Sequence, residues 1–576
     1  MNKKIDMIHK CLVITTVLFL FLLPVNAQTP GPKREVTLYN PYKPSLPEAR
    51  KRSFLPDMID TAKVNPDFKY DIRTTPFMPE YTISPIKAAS LLPDPLPKLY
   101  KSYVNLGFGN YTTPLAEISI TNERSKKGAF GIYARHLSSS GNIKLENDKK
   151  VYAGYMDNDV SLFGKKFFRK SILDGSIDFS QRRRHAYGHD TAFFDFEPEN
   201  KDIRLTYNNI GAKATFASTT LDSSTFSYRF DLNYDHFYQS ESRSRNNAGF
   251  KGWMAKSYRD LYLGSGIEFD HYTFSENVWA RPKYTFAINP FLTKQSPQWN
   301  FRVGLQAVFD RNLKTSTEFY LYPDINFGFT IVPTYLSFFT GLSGSLDKNA
   351  PATIVEENPF LIPDGRLFNM QHTDNEIVIT AGLKGNTGMN GNYMLSSSYS
   401  VINDMLFYSN LVYSNLVDIT ERGNHFITLT DDVEVLNLHG EISGTITDKF
   451  VYQAKGNFYK YTLSGEDYAW NKPSWDAKLG VKYNLRDKIL AGVEIVALGS
   501  RKQVVTRDLS WPIVTVPPTI YERPAHFNLN LTAEYRYSKI LSFWVRFNNI
   551  SGNRFFEWAY YPTQRFQGML GFTYSL

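Results

Sequence analysis

Hydrophobic and polar residues alternate along most of the chain beyond Tyr100. In residues 225–236, TFSYRFDLNYDH, the apolar side chains occupy every second position, while Arg229 and Asp231 lie on the opposite face. Residues 474–486 repeat the pattern with Lys478 and Lys482 on the polar face, and residues 526–537 repeat it with Arg536 there. A period of two residues is that of a β-strand and not of a helix.

The length of the alternating segments separates two classes of β protein. A soluble β-sandwich also has alternating strands, but they are usually short. A transmembrane β-strand needs about 9–11 residues, and these segments reach that length. The pattern therefore predicts an antiparallel transmembrane β-barrel, with the apolar face towards lipid and a polar lumen lined in part by Arg229, Asp231, Lys478, Lys482 and Arg536.

Long and short connections alternate between the segments, which predicts an up-and-down barrel of about 22 strands. The short connections are typical of periplasmic turns, so we expect both ends of the barrel to be periplasmic. The predicted strands lie near residues 100–110, 114–123, 128–138, 151–164, 169–182, 203–217, 224–239, 247–257, 260–273, 281–292, 298–311, 319–331, 335–346, 375–388, 391–408, 425–446, 448–462, 473–485, 487–500, 524–538, 540–550 and 565–576. The predicted outer loops include 183–202, 347–374, 501–523 and 551–564.

The first 27 residues have the features of a secretory signal peptide. Lysines precede an apolar run, and Val25-Asn26-Ala27 supplies a small-residue exit. Cys11 precedes the apolar run, which argues against a lipoprotein, and it is the only cysteine of the chain. The mature protein is therefore expected to have neither disulfides nor thiolate metal sites.

Residues 28–99 are rich in proline and show no sustained helical or strand period. Proline lacks an amide donor and favours extended backbone, so we expect an extended periplasmic segment. A barrel of this strand number encloses a wide lumen. We expect the lumen to be closed by this segment, by long loops such as 347–374, or by a partner protein.

Composition narrows the function without naming it. Mean hydropathy is −0.35, and beyond residue 27 no apolar run is long enough for a transmembrane helix. Aromatic residues nevertheless make up 15% of the chain, as expected for the aromatic girdles of a barrel. The net charge of +9 is spread over the whole chain and indicates no nucleic-acid partner.

Residues 181–190, QRRRHAYGHD, hold the most prominent candidate for chemistry. His185, His189 and Asp190 would need a helix to converge on one metal ion, whereas we predict an outer loop. A solvated basic loop that contacts lipopolysaccharide phosphates is the favoured interpretation. The aromatic residues Trp558, Tyr560 and Tyr561 either stack on a ligand or pack the loops. We find no nucleophile, base and acid set, so the sequence predicts no enzyme, cofactor or metal.

The last 29 residues, NNISGNRFFEWAYYPTQRFQGMLGFTYSL, resemble the closing hairpin of TonB-dependent outer-membrane receptors. Gly571, Phe572, Tyr574 and Leu576 resemble the family's outer-membrane assembly signal, although Leu576 replaces the usual final aromatic residue. The segments 391–410 and 355–365 resemble barrel parts of Bacteroidota-type receptors, so that the resemblance extends over residues 100–576.

This resemblance implies nutrient transport or binding at the outer membrane, assembly by the barrel-assembly machinery, and contact with lipid and lipopolysaccharide. The family's plug domain is not visible in the sequence, and the residues Glu35, Val36, Thr37 and Leu38 are the candidate TonB box. The alternative function is a membrane-embedded subunit of an envelope assembly or secretion complex. In that case residues 28–99 or the long loops would contact a periplasmic or surface-lipoprotein partner. An outer-membrane hydrolase is the third hypothesis.

Overall fold

The computed structural model describes residues 100–122, 125–189, 191, 199–219, 226–239, 243–278, 280–311, 317–362, 365–388, 390–413, 422–447, 449–510 and 513–576. The predicted signal peptide 1–27, the proline-rich segment 28–99 and the candidate TonB box Glu35–Leu38 lie outside these residues. Those three predictions therefore stay predictions.

Twenty-two strands form one closed antiparallel sheet, which confirms the predicted fold class. They are β1 Ser102–Gly109, β2 Thr113–Thr121, β3 Gly128–Ser139, β6 Tyr155–Phe167, β7 Ser171–His185, β8 Arg204–Ser218, β9 Ser227–Gln239, β10 Ser244–Tyr258, β11 Leu261–Phe274, β12 Lys283–Gln295, β13 Trp299–Arg311, β14 Glu318–Val332, β15 Leu336–Asp347, β16 Thr373–Asn386, β17 Gly391–Tyr413, β18 Arg422–Thr447, β19 Phe450–Leu463, β20 Trp475–Leu485, β21 Ile489–Leu498, β24 His526–Arg536, β25 Leu541–Asn548 and β28 Gln567–Ser575. Each predicted strand corresponds to one of them.

The connections contain further short elements. Six strands lie there: β4 Asn142–Lys144, β5 Lys150–Tyr152, β22 Arg501–Ser510, β23 Ile513–Arg523, β26 Phe556–Trp558 and β27 Tyr561–Pro562. The helices are α1 Pro351–Glu357, α2 Gly365–Phe368 and a 3-10 turn at Glu276–Val278. No helix in the described part of the chain is long and apolar enough to cross a membrane.

The barrel closes where β1 pairs with β28. Tyr103 lies opposite Ser575, and Gly109 lies opposite Met569. Backbone hydrogen bonds join Ser102 N to Leu576 O at 3.0 Å and Leu576 N to Ser102 O at 2.9 Å. The pairing leaves no free edge between the first and last strands, as a β-structure in lipid requires.

A tryptophan fills the inside of this closing pair. Gly107 and Gly571 lie opposite each other, and a Cβ added to either would come within 2.5 Å or 2.3 Å of the Trp544 ring. Trp544 Nε1 donates a hydrogen bond to Asn105 Oδ1 at 2.7 Å, and Asn105 is 1% exposed. Gly571 thus provides the space in which an aromatic ring packs across the closing strands.

The two faces of the wall differ as the alternation predicts. Large apolar side chains on the outer face stay exposed, for example Leu232 at 58% and Leu570 at 66%. Among the residues of the predicted assembly signal, Phe572 and Leu576 are also exposed. The largest buried apolar cluster lies instead among the long connections. We call the end of the barrel that carries these connections the long-loop end.

Two predictions about the connections are wrong. Residues 183–185 do not lie in a solvated loop, because β7 continues to His185. His185 and His189 are 7% and 2% exposed, and the Arg184 guanidinium donates a hydrogen bond to Asp157 at 2.6 Å. The predicted loop 501–523 is largely the hairpin β22–β23, of which β22 pairs in parallel with the long strand β17. In both places a segment that was predicted as loop continues or adds to the β-structure at the long-loop end.

Candidate functional site

The connection between β15 and β16 crosses the long-loop end of the barrel. We call residues 348–372 the lid; of these, 363 and 364 lie outside the described residues. Tyr207 of β8 donates a hydrogen bond to Leu361 O at 3.1 Å. On the other side Phe426 of β18 exchanges backbone hydrogen bonds with Phe360 and Ile362, both at 2.9 Å. The same short segment therefore touches two separate strands of the wall.

These two strands lie almost opposite each other in the barrel. Nine barrel strands separate β8 from β18 in one direction and eleven in the other. The end of β18 that carries Phe426 extends beyond its pairing with β19, which begins at Val433, so the lid and this strand end together join the two sides of the opening. The lid therefore spans the mouth at the long-loop end.

A hydrophobic core fixes the lid in this position. We call this cluster the cap core. Its buried members are Ala186, Ile203, Leu205, Tyr207, Phe237, Val278, Ile354, Val355, Phe360, Leu361, Leu367, Phe368, Met370, Tyr408, Phe426, Val505, Trp558, Ala559, Tyr560 and Tyr561. They come from the lid, from four barrel strands and from the connections after β7, β11, β21 and β25. The cap core thus joins several connections into one packed layer.

Aromatic rings provide the main contacts of the cap core. The Phe360 ring stacks on Tyr561 with centroids 3.8 Å apart, and Trp558 packs edge-on against Tyr408 at 5.2 Å. Burial raises the pKa of the Tyr187 and Tyr561 hydroxyls above the usual value, so both stay protonated well into the alkaline range. Such ring pairs stabilise a core beyond the area that they bury.

Two acidic residues at the end of α1 bind the lid to both sides of the barrel. Glu356 pairs with Arg182 of β7 at 3.5 Å. Glu357 accepts hydrogen bonds from Tyr408 Oη at 2.8 Å and from Lys472 Nζ at 2.9 Å. We call these contacts the clamp. Arg182 and Tyr408 lie on distant strands and Lys472 lies in the connection after β19, so the clamp fixes the orientation of the lid in a way that apolar packing alone does not.

Polar contacts hold the first residues of the lid. Lys348 forms ion pairs with Glu268, at 2.6 Å, and with Asp270 of β11. Burial lowers the pKa of Lys348, but the two carboxylates outweigh it, so the pKa of Lys348 is raised overall. Arg245 of β10 donates to Asn349 O at 3.0 Å. Beyond these pairs the lid leaves the wall and enters the mouth.

The predicted lumen residues lie apart, on three strands. Arg229 pairs with Asp231 at 2.8 Å within β9, and Lys478 of β20 pairs with Glu494 at 2.5 Å. Arg536 of β24 pairs with Glu534 at 3.5 Å, while Lys482 lies opposite Gly492. They alternate with exposed apolar residues such as Leu232. The structure does not bring them together as one site, and their role as lumen lining remains a proposal.

The described residues of the histidine-rich segment 181–190 form no metal centre. His185 Nδ1 lies 2.6 Å from Gly154 O, and His189 Nδ1 lies 3.3 Å from Tyr187 O. No cluster of three potential ligands occurs among the residues that the structure describes, and Asp190 is outside them. The two histidines therefore support the loops around the mouth by bonding to backbone.

Most of the cap core does not follow from the alternation of apolar and polar residues. Leu205, Tyr207 and Phe237 lie on the face of β8 and β9 that elsewhere carries polar residues. This run of apolar residues on the lumenal face, confined to the long-loop end, is the signal that predicts a core there. Trp558, Tyr560 and Tyr561 were predicted either to stack on a ligand or to pack loops. All three are at most 4% exposed, so they pack loops.

No protein-family model matches the sequence, and no curated protein matches it significantly. Solved structures with the same fold are outer-membrane receptors and transporters. The FrpB iron transporter from Neisseria meningitidis has a TM-score of 0.62 and 10% identity, over 84% of this chain and 82% of its own. The ferripyoverdine receptor of Pseudomonas aeruginosa, bound to ferripyoverdine, has a TM-score of 0.60 and 11% identity, over 84% of this chain and 72% of its own. The copper transporter OprC has a TM-score of 0.57 and 10% identity, over 84% and 82%.

Proposed function

We propose that this protein is an outer-membrane transport barrel for a nutrient, and that its lid is the gate at the outer mouth. The observation that carries the proposal is the lid itself, which is bonded to nearly opposite strands and packed into the cap core. The shared fold with the FrpB and OprC transporters supports a transport role. The long-loop end would face outwards and the short turns would face the periplasm.

The construction of the mouth fits a gate better than a permanent wall. The clamp consists of hydrogen bonds and ion pairs at partly exposed side chains, and such contacts contribute little each. The cap core is therefore the main barrier to opening. Ligand binding to an open form would shift the equilibrium only by its preference for that form. The gate would then stay closed until cargo arrives.

Electrical conductance tests this proposal directly. The mature protein is reconstituted in a planar bilayer and compared with a variant in which residues 349–371 are replaced by a short Gly-Ser linker. We expect the native protein to conduct little and the variant to conduct strongly. A matched control carries Lys201→Gln and Glu199→Gln, which removes an exposed ion pair of another connection at 2.8 Å without touching the lid.

A variant that lacks residues 28–97 tests whether the lid or the proline-rich segment closes the lumen. If conductance rises only when these residues are removed, the proline-rich segment and not the lid closes the lumen. If no variant conducts and a stable partner co-purifies, the protein is better explained as a subunit of an envelope assembly. The candidate TonB box would be supported if uptake required the energising inner-membrane complex and if substitution of Glu35–Leu38 abolished that uptake.

A further inference from the structure

A polar recess opens on the inner side of the wall beneath the connection after β25. Its volume is about 320 Å³, within the range of small-molecule sites. The strands β24, β25 and β28 supply His526, Asn528, Asn548 and Gln567. All four alternate with exposed apolar residues such as Phe527, Phe547 and Leu570, so they face inwards. The recess is therefore reached from the lumen and not from lipid.

The loops complete this recess with charged groups. Arg501 from the start of β22, together with Glu557 and Arg565 from the connection after β25, lines it. The Phe555 ring stacks parallel on His526 with centroids 4.6 Å apart, which fixes one wall. Loops and strands thus bring two guanidinium groups and one carboxylate around the same space.

Arg501 is the most informative of these groups because it is buried and forms no ion pair with a described carboxylate, although the nearby Glu557 carboxylate offsets part of the cost of its burial. It is 7% exposed, and its guanidinium donates only to the backbone carbonyls of Phe556 and Glu557, at 3.1 Å and 3.4 Å. Arg565 donates to Gly552 O at 2.6 Å. Neither arginine forms an ion pair with any residue that the structure describes. A buried cation is costly unless an anion accompanies it.

The neutral groups of the recess suit hydroxyl groups. Asn528 Oδ1 accepts from Asn549 N at 3.1 Å, which leaves its amide nitrogen for a ligand. Gln567 donates to Gln564 at 2.9 Å, which leaves its carbonyl oxygen as an acceptor. Amide side chains both donate and accept, as hydroxyl recognition requires. The two arginines and one glutamate give the recess a formal charge of about +1, which matches a monoanion better than a dianion.

We propose that this recess binds a hydroxylated monocarboxylate of the size of a hexuronic acid. Arg501 and Arg565 would hold the carboxylate, because a guanidinium matches that group with paired hydrogen bonds. Asn528, Asn548 and Gln567 would hold the hydroxyls. The proposal deepens the transport function by naming a class of cargo, but binding at this recess does not depend on conductance.

Calorimetry on the solubilised mature protein at low salt tests the site. D-glucuronate is the probe, and D-glucose is its neutral counterpart. We expect glucuronate to bind and glucose to bind at least about tenfold more weakly, since only the acid engages the arginines. Arg501→Gln and Arg565→Gln should each reduce glucuronate affinity about tenfold. The matched control Arg546→Gln removes a guanidinium of β25 that stacks on Trp544 at 4.3 Å, outside the recess, and should leave affinity unchanged.

Several results would overturn the site. The site is ruled out if glucuronate does not bind, if glucose binds as tightly as glucuronate, or if the Arg546→Gln control loses as much affinity as the Arg501→Gln and Arg565→Gln variants. Equal competition by inorganic phosphate would show a general oxyanion site without hydroxyl recognition. Arg501 also supports the loop backbone, so the Arg501→Gln variant could fail to fold. In that case the Arg565→Gln variant decides whether the recess binds glucuronate, because the Arg565 side chain is exposed. Heat-modifiable migration in gels reports folding for each variant. A protein that binds glucuronate yet never conducts would contradict the transport function and leave this site intact.

Discussion

The wall and the cap core of this barrel use apolar residues in opposite ways. On the wall the large apolar side chains point outwards and stay exposed, as with Phe130 at 69% and Leu232 at 58%. In the cap core comparable side chains are buried against one another, as with Phe368 at 0% and Tyr561 at 1%. The same residue types thus meet lipid in one region and protein in the other.

The difference shows where each region obtains its stability. The wall is held by continuous backbone ladders, and its outer side chains need only suit hydrocarbon. The cap core joins the lid and other connections to the ends of barrel strands by side-chain contacts, so it depends on the burial of apolar surface. Changes of packing should therefore act on the cap core, and changes of polarity on the wall.

Removing one ring from the cap core should have the largest effect. Phe360 is 7% exposed and stacks on Tyr561, so Phe360→Ala should destabilise closure by about 3–5 kcal/mol. We expect raised conductance and faster proteolysis of the lid while the barrel keeps its heat-modifiable migration. Phe130→Ala, on the exposed outer face, is the matched control and should leave conductance unchanged. Equal conductance in both variants would contradict the assignment of the lid as gate.

A charge on the wall should have the next largest effect. Leu232 lies near the middle of β9 on the outer face, and Leu232→Arg should cost about 2–4 kcal/mol if it faces the bilayer midplane. Urea unfolding in lipid vesicles measures this cost. Leu232→Ala removes the side chain without adding charge and should cost much less. Tolerance of the arginine would show that this face does not contact lipid.

Weakening the clamp should have a smaller effect than opening the core. Glu357→Gln keeps the shape of the side chain but removes the charge that faces Lys472 and Tyr408, and because Glu357 is about half exposed this should cost closure about 0.5–1 kcal/mol. Conductance should rise in brief openings and not continuously. Glu199→Gln, in an exposed ion pair elsewhere, serves as the control. A response in the control as large as that of Glu357→Gln would rule out a specific clamp.

The pH dependence of the first ion pair should be the smallest effect. The pKa of Lys348 is raised by Glu268 and Asp270, so its contribution is complete below the unfolded pKa of about 10.4. It is lost as pH rises through the higher folded pKa. Conductance should thus stay constant from about pH 7 to 9 and rise only in stronger alkali. Lys348→Met should abolish the alkaline component that this lysine contributes, and persistence of the full response would assign it to other groups.

The barrel was predictable because each strand carries its own signal. A two-residue period in residues such as 225–236 depends only on neighbours in sequence, and the lipid face constrains every strand in the same way. The connections lack such a period. For this reason β7 was predicted three residues too short, and the buried residues His185 and His189 were assigned to a solvated loop. The recess was missed because Arg501, His526 and Arg565 lie far apart in the alternation pattern and meet only in the folded protein.

The sequence by itself determined the number of strands, their order and the face that each presents to lipid, since these follow from local alternation and the lengths of connections. Tertiary structure decided how the mouth closes. Tyr207, Leu361 and Phe426 are separated by long stretches of chain, and their contact requires a ring of strands to bring opposite walls within reach of one lid. Local periodicity carries no information about contacts across a lumen, because there the barrel's curvature sets the distances.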